Sequence, residues 1–163
     1  MKKLIYTLLI IVALTSNSFS AGTSSDNDSS SKVSDFTKAK NLVKAAKKYE
    51  KKGKIEKAQK RYAKAQKLLL KSNKKKPLQA DTLNYLGFTT RKLGDYEGGE
   101  KFYLQGLQIE SNHNGINEYL GELYVATNRM DMAKERLEVL KTCNCEEYDE
   151  LKEIIDGTKK SKY

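Results

Sequence analysis

Residues 80–113 read ADTLNYLGFTTRKLGDYEGGEKFYLQGLQIESNH, and residues 114–147 read NGINEYLGELYVATNRMDMAKERLEVLKTCNCEE. A shift of 34 residues places Tyr85-Leu86-Gly87 on Tyr119-Leu120-Gly121 and Gly94 on Asn128. Large apolar residues fall on large ones, and small residues fall on small ones. Self-similarity at a fixed period of roughly 20–50 residues is typical of proteins that stack one supersecondary unit. These two segments therefore predict a repeat array.

A third, weaker copy lies upstream. A shift of 41 residues places Ala46 on Gly87 and Gly53 on Gly94. The excess of seven residues equals about two helical turns, so the second helix of this copy can be longer and still bury the same face. The insertion is expected around Asn73 to Gln79.

Each copy has the pattern of a helix, a tight turn and a second helix. In the middle copy, apolar residues recur at helical spacing from Ala80 to Lys92 and from about Tyr96 to Ile109. Gly94 between them tolerates the left-handed conformation that ends a helix, and Asp95 is well placed to cap the next one. The pattern predicts three antiparallel helix pairs.

These residues resemble the tetratricopeptide-repeat (TPR) family, whose unit is a helix pair of about 34 residues. The middle copy carries the family's pattern at Leu86-Gly87, Gly94-Asp95-Tyr96, Gly99, Tyr103 and Gly106. The resemblance implies an all-α fold, a right-handed α-solenoid of three TPR helix-turn-helix units plus a C-terminal capping helix. In the first copy, Ala45-Ala46 stands where the family has a large residue before the small one, and Leu140 replaces a small residue in the third.

The first residues have the layout of a secretory signal peptide. A positive start is followed by an apolar run from Leu4 to Leu14 and by small residues at Ser18 and Ser20. The expected organisation is a signal peptide at 1–20, a disordered Ser/Asp-rich leader at 21–34, a TPR domain at 35–156 and a frayed basic tail at 157–163. Within the domain, repeats are expected at about 39–79, 80–113 and 114–147, with a capping helix at about 146–156. The chain is then periplasmic or secreted and has no integral membrane domain after cleavage; an uncleaved anchor is the alternative.

Charge is unevenly distributed along the chain. Residues 32–76 hold 18 Lys and Arg against three acidic residues, a net of +15, whereas residues 77–163 hold 11 against 16, a net of −5. This asymmetry favours an anionic partner for the first half, such as an anionic polymer or a membrane surface. The alternative is that the lysines only solvate two exposed helices. Nucleic acid is disfavoured, because few aromatic residues are interleaved with the lysines.

The sequence gives little support for catalysis. His113, the single histidine, falls in a predicted turn, and no phosphate-binding glycine loop is present. We therefore predict no enzyme, no cofactor and no metal site. Cys143-Asn144-Cys145 leaves three alternatives open: a structural turn or static disulfide, a redox-active pair, and a soft-metal site.

The resemblance implies a function in binding. In TPR proteins the first helix of each pair lines a concave groove that receives a protein or peptide segment. The groove residues implied by position are Lys40, Lys44, Lys47, Asn84, Phe88, Arg91, Lys92, Glu118 and Glu122. The expected protein is an interaction adaptor of the bacterial cell envelope.

Overall fold

Helices are the regular elements of the part that the computed structural model describes, residues 33–159. They are α1 (Asp35–Glu50), α2 (Ile55–Lys75), α3 (Ala80–Lys92), α4 (Tyr96–Ile109), α5 (Asn114–Ala126), α6 (Met130–Leu140) and α7 (Glu146–Ile155). The predicted signal peptide, nearly all of the leader and the last four residues of the tail lie outside this part. Within it, no helix is both long and apolar enough to cross a bilayer. The predicted all-α helical-repeat fold is confirmed.

The helices pair as α1 with α2, α3 with α4, and α5 with α6. The turn inside each pair carries a residue with positive φ: Gly53 at 68°, Gly94 at 97° and Asn128 at 58°. After the second turn, the Asp95 side chain accepts a hydrogen bond of 2.8 Å from the Gly98 backbone N–H, which caps α4. The repeat alignment correctly located these turns, because the left-handed backbone conformation that they require is adopted mainly by glycine and asparagine.

Small residues set the distance between helices. A Cβ at Gly87 would lie 2.5 Å from a ring carbon of Tyr103, and one at Gly121 would lie 2.5 Å from Leu151 Cδ2. Tyr103 and Leu151 are completely buried. Each glycine thus provides the space into which a large side chain of a neighbouring helix packs.

The core consists of two clusters along the array. The first is built around α1, α2 and α3, with Tyr62 and Leu69 fully buried. The second joins α4, α5 and α6, with Tyr103 and Leu120 fully buried. Both clusters draw their members from residues 36–155, so the domain from residue 32 onward contains its own core.

Helix α7 covers the end of the third pair. Leu151 and Ile154 are buried against α5 and α6. Beyond the helix, Lys159 is held by Glu150 at 3.3 Å and Glu153 at 3.2 Å. The start of the basic tail therefore folds back onto the capping helix, since its ammonium meets two carboxylates of α7.

Two fully buried tyrosines should make the domain sensitive to alkali. Burial raises the pKa of Tyr62 and of Tyr103, and Glu50, which accepts the Tyr62 hydroxyl at 2.8 Å, raises that of Tyr62 further. A raised pKa in the folded state stabilises the fold below the unfolded value, about pH 10, and this stabilisation is lost as the pH rises above it. We expect the free energy of unfolding to fall by about 1.4 kcal/mol per pH unit for each such tyrosine. Urea unfolding between about pH 9 and pH 11 measures the slope.

The control for this prediction is Tyr62→Phe. Its free energy of unfolding should fall less steeply with pH than that of the parent, by about 1.4 kcal/mol per pH unit. Tyrosinate absorbance provides an independent check, because the buried rings should ionise only when the domain unfolds. Smooth ionisation of all nine tyrosines that follow residue 32, in a domain that stays folded, would contradict the prediction.

Candidate functional site: a charged groove

The first helices of the three pairs and α7 share one surface. Cavities on this surface are lined by residues of α1, α3, α5 and α7 together with the loop before α5. The second helices α2, α4 and α6 contribute none of the residues that line these three cavities. We call this surface the groove.

The floor of the groove is aromatic. Tyr85, Phe88 and Tyr119 line a cavity of about 380 Å³, and the ring centroids of Phe88 and Tyr119 are 5.0 Å apart. The Lys47 ammonium lies 4.5 Å from the Phe88 centroid and 5.2 Å from that of Tyr119, and it donates a 3.0 Å hydrogen bond to the Tyr119 hydroxyl. A cation at this distance from two ring faces is attracted to both. This contact joins the first repeat to the third across the floor.

One side of the groove is cationic. Lys40 and Lys44 are exposed on α1, and Lys47 is half-buried one turn further along. The Lys40 ammonium lies 5.7 Å from the Tyr85 ring. The spacing of α1 therefore places three ammonium groups beside the aromatic floor.

The opposite side is acidic. Glu146, Glu147 and Glu150 of α7 line a cavity of about 230 Å³ together with Glu118 and Lys47. Deeper in the fold, Glu118, Glu122 and Glu150 bring carboxylate oxygens within 4.8 Å of one another. Such a set could coordinate a divalent cation, but Arg91 already contributes counter-charge to it.

Arg91 and Glu122 form an ion pair beneath the groove. Both side chains are fully buried, with Arg91 Nη2 3.2 Å from Glu122 Oε2. Arg91 Nη1 also donates a 2.7 Å hydrogen bond to the Tyr119 carbonyl. Arg91 thus ties α3 to α5 and holds the helix that presents Tyr119.

Asn84 and His113 lie at the loop that precedes α5. Asn84 is 7% exposed, and its Oδ1 has no hydrogen-bond partner among the described residues. His113 caps α5, since its Nδ1 accepts from the Ile116 N–H at 3.2 Å while its Nε2 lies 3.3 Å from Asp81. A neutral imidazole that accepts at Nδ1 carries its proton on Nε2, so both nitrogens have structural partners.

Three more residues singled out in the sequence analysis, Lys92 and the two cysteines, lie at the edges of the site. Lys92 pairs with Glu50 at 2.6 Å at the end of α3. Cys143 and Cys145 are joined by a disulfide, with Cα atoms 5.2 Å apart, and Asn144 between them has a φ of 48°. The disulfide lies in the turn between α6 and α7.

The structure divides the predicted groove residues into two groups. Lys40 and Lys44 are exposed and Lys47 and Lys92 are half-buried, whereas the others are buried: Asn84, Phe88, Arg91, Glu118 and Glu122. Sequence reasoning missed Tyr85, Tyr119 and the α7 glutamates. Tyr85 and Tyr119 were visible as the first residue of the repeated Tyr-Leu-Gly, but their position in the floor follows from the stacking of α1 on α3 and α5.

The fold and this surface define a class: a short array of helical hairpins with a groove along its first helices. No family model matches the chain, and no curated protein matches it. Among solved structures, it is similar to the first TPR domain of Spaghetti (RPAP3) bound to the HSP90 peptide SRMEEVD, with 21% identity and a TM-score of 0.48. That likeness covers 77% of this chain and 96% of the other.

Proposed function

We propose that this domain is a protein-interaction module whose groove binds an extended segment of another protein. The observation that carries the proposal is the arrangement of an aromatic floor between a lysine side and a glutamate side. Aromatic rings supply apolar contact area with little loss of conformational freedom. Opposite charges on the two sides would fix the direction of a bound segment.

The chemistry of the groove suggests what such a segment contains. Acidic side chains would meet Lys40 and Lys44, apolar side chains would cover the exposed parts of Tyr85 and Tyr119, and basic side chains would meet Glu146 and Glu147.

A displayed library of random peptides, selected on the chain from residue 32 onward, tests the proposal. The groove variant carries Lys40→Glu and Lys44→Glu, two exposed residues on one face of α1. The outer variant carries Lys60→Glu and Lys64→Glu, two exposed residues at the same spacing on α2. Asn84, Phe88 and Arg91 are left unchanged because they are buried, and truncating them would test stability instead.

We expect the selected peptides to bind the groove variant at least tenfold more weakly than the parent, because like charges placed face to face across an interface cost several kcal/mol. The outer variant should bind them within about twofold, since exposed charges far from the contact are screened. Peptides that bind both variants equally well would locate binding outside the groove. A library from which no peptide is enriched would argue against segment binding altogether.

A further inference from the structure

Helix α2 carries a second charged surface that faces away from the groove. Six exposed lysines recur at spacings of three or four residues along it, and we call them the lysine stripe: Lys57, Lys60, Lys64, Lys67, Lys71 and Lys75. At 100° per residue these positions fall within about 80° of one another around the helix axis. The stripe is therefore a straight row of ammonium groups about 27 Å long.

Little within the fold neutralises this row. Glu56 is the one acidic residue of α2. Asp35 pairs with Lys75 at 2.8 Å and with Lys71 at 3.5 Å. In the described part of the chain, the other four lysines have no carboxylate within ion-pair distance. The stripe thus presents unbalanced positive charge to solvent, a surface complementary to a dense array of negative charge.

Large apolar side chains are exposed at the end of the first hairpin that contains the start of α1 and the end of α2. Leu70 is 48% exposed, Leu78 is 71% exposed and Val33 is 50% exposed. The pairing of Asp35 with Lys71 and Lys75 brings the start of α1 to the end of α2, so these three side chains belong to one end of the hairpin. Lysines beside exposed aliphatic side chains are the composition of surfaces that lie on an anionic bilayer.

Leu78 is held in an unfavourable backbone conformation. Its φ is 58°, in the left-handed region that favours glycine and asparagine. A leucine that is 71% exposed contributes little to the core, so burial does not explain why a large apolar side chain stands at this position.

We propose that the lysine stripe and the apolar end beside it form a docking surface for an anionic lipid bilayer. Ammonium groups would attract the phosphate headgroups along α2, while Leu70, Leu78 and Val33 would enter the interface at the end of the helix. A bilayer fits better than nucleic acid, because the aromatic ring beside the stripe, Tyr49, is only partly exposed and lies under Arg61, so it offers little open surface for base stacking. Lysine also lacks the rigid guanidinium fork that pairs with guanine.

Co-sedimentation with lipid vesicles tests this proposal on the chain from residue 32 onward. The vesicles contain phosphatidylglycerol with phosphatidylcholine, or phosphatidylcholine alone. The parent is expected to bind only the anionic vesicles and to be released by salt. The outer variant, Lys60→Glu with Lys64→Glu, should partition onto the anionic vesicles at least tenfold more weakly than the parent. The groove variant, which has the same net charge, should lose less than threefold.

A second variant distinguishes lipid from other polyanions. Leu70→Gln with Leu78→Asn leaves all lysines in place and puts asparagine where φ is positive. It should weaken binding to anionic vesicles several-fold and leave binding to duplex DNA, at equal phosphate concentration, unchanged. DNA that binds the parent more tightly than the vesicles do would assign the stripe to nucleic acid and overturn the proposal.

Two further outcomes would also overturn it. Equal loss in the outer and groove variants would mean that net charge alone drives binding, and equal binding to neutral vesicles would mean that the lysines are not involved. Because the peptide selection uses the same two variants with the opposite expectation, failure of the bilayer proposal and failure of the groove proposal are distinguishable.

Discussion

Replacing Arg91 with leucine is expected to destabilise the domain by about 4 kcal/mol, because removal of one member of a buried ion pair leaves the other charge buried without its partner. The Arg91 and Glu122 side chains are fully buried and 3.2 Å apart. Arg91 also donates to the Tyr119 carbonyl, so the link between α3 and α5 weakens as well. Urea unfolding followed by circular dichroism measures the change.

A variant that lacks both charges shows whether the loss of stability comes from breaking the ion pair. Glu122→Leu added to Arg91→Leu should restore about 2 kcal/mol, since removing both charges eliminates the uncompensated one. Lys101→Leu is the control: it breaks the exposed pair with Glu97 and should leave the unfolding midpoint nearly unchanged. If the effects of Arg91→Leu and Glu122→Leu simply add, the two side chains do not interact as the structure shows.

Leu151→Ala should destabilise the domain by about 3 kcal/mol, as is typical for truncating a fully buried leucine. Leu151 is the residue by which α7 packs into the space above Gly121. The variant should therefore detach the capping helix from α5 and α6. Loss of helical signal before the main transition in thermal unfolding would report this detachment.

Gly121→Ala provides the matched test. Alone it should destabilise the domain by about 1 kcal/mol, since the overpacking against Leu151 outweighs the better helix propensity of alanine. In the Leu151→Ala background it should instead stabilise, because the new methyl group occupies part of the vacated space. Lys152→Ala, at an exposed neighbouring position, should have no measurable effect. A Gly121→Ala substitution that destabilises both backgrounds equally would show that α7 does not pack at Gly121.

Much of the fold could be predicted from the repeated segments. The boundaries predicted for α3, and for α4 after Asp95, agree with the helices at Ala80–Lys92 and Tyr96–Ile109. Helical periodicity and capping are local properties. They repeat because each hairpin buries the same apolar face against its neighbours. The extra length of α2 was also visible, as an insertion of two turns.

Less of the site could be predicted. Position in the first helix correctly grouped Lys40, Lys44 and Lys47 on one surface, but it did not separate exposed side chains from buried ones. Arg91 was expected to line the groove and lies beneath it, paired with Glu122. The depth of a side chain between two neighbouring hairpins depends on how they stack, and periodicity within one helix contains no information on that stacking.

The sequence by itself determined the number of hairpins, the turns at Gly53, Gly94 and Asn128, and the charge imbalance of the first repeat. Each of these follows from residues close together in the chain or from their recurrence at a fixed period. Only the tertiary structure decided that α7 supplies the acidic side of the groove and that the α2 lysines form a row apart from it. Both results depend on which helices become neighbours when the apolar faces are buried, and that is settled by the packing of the whole array.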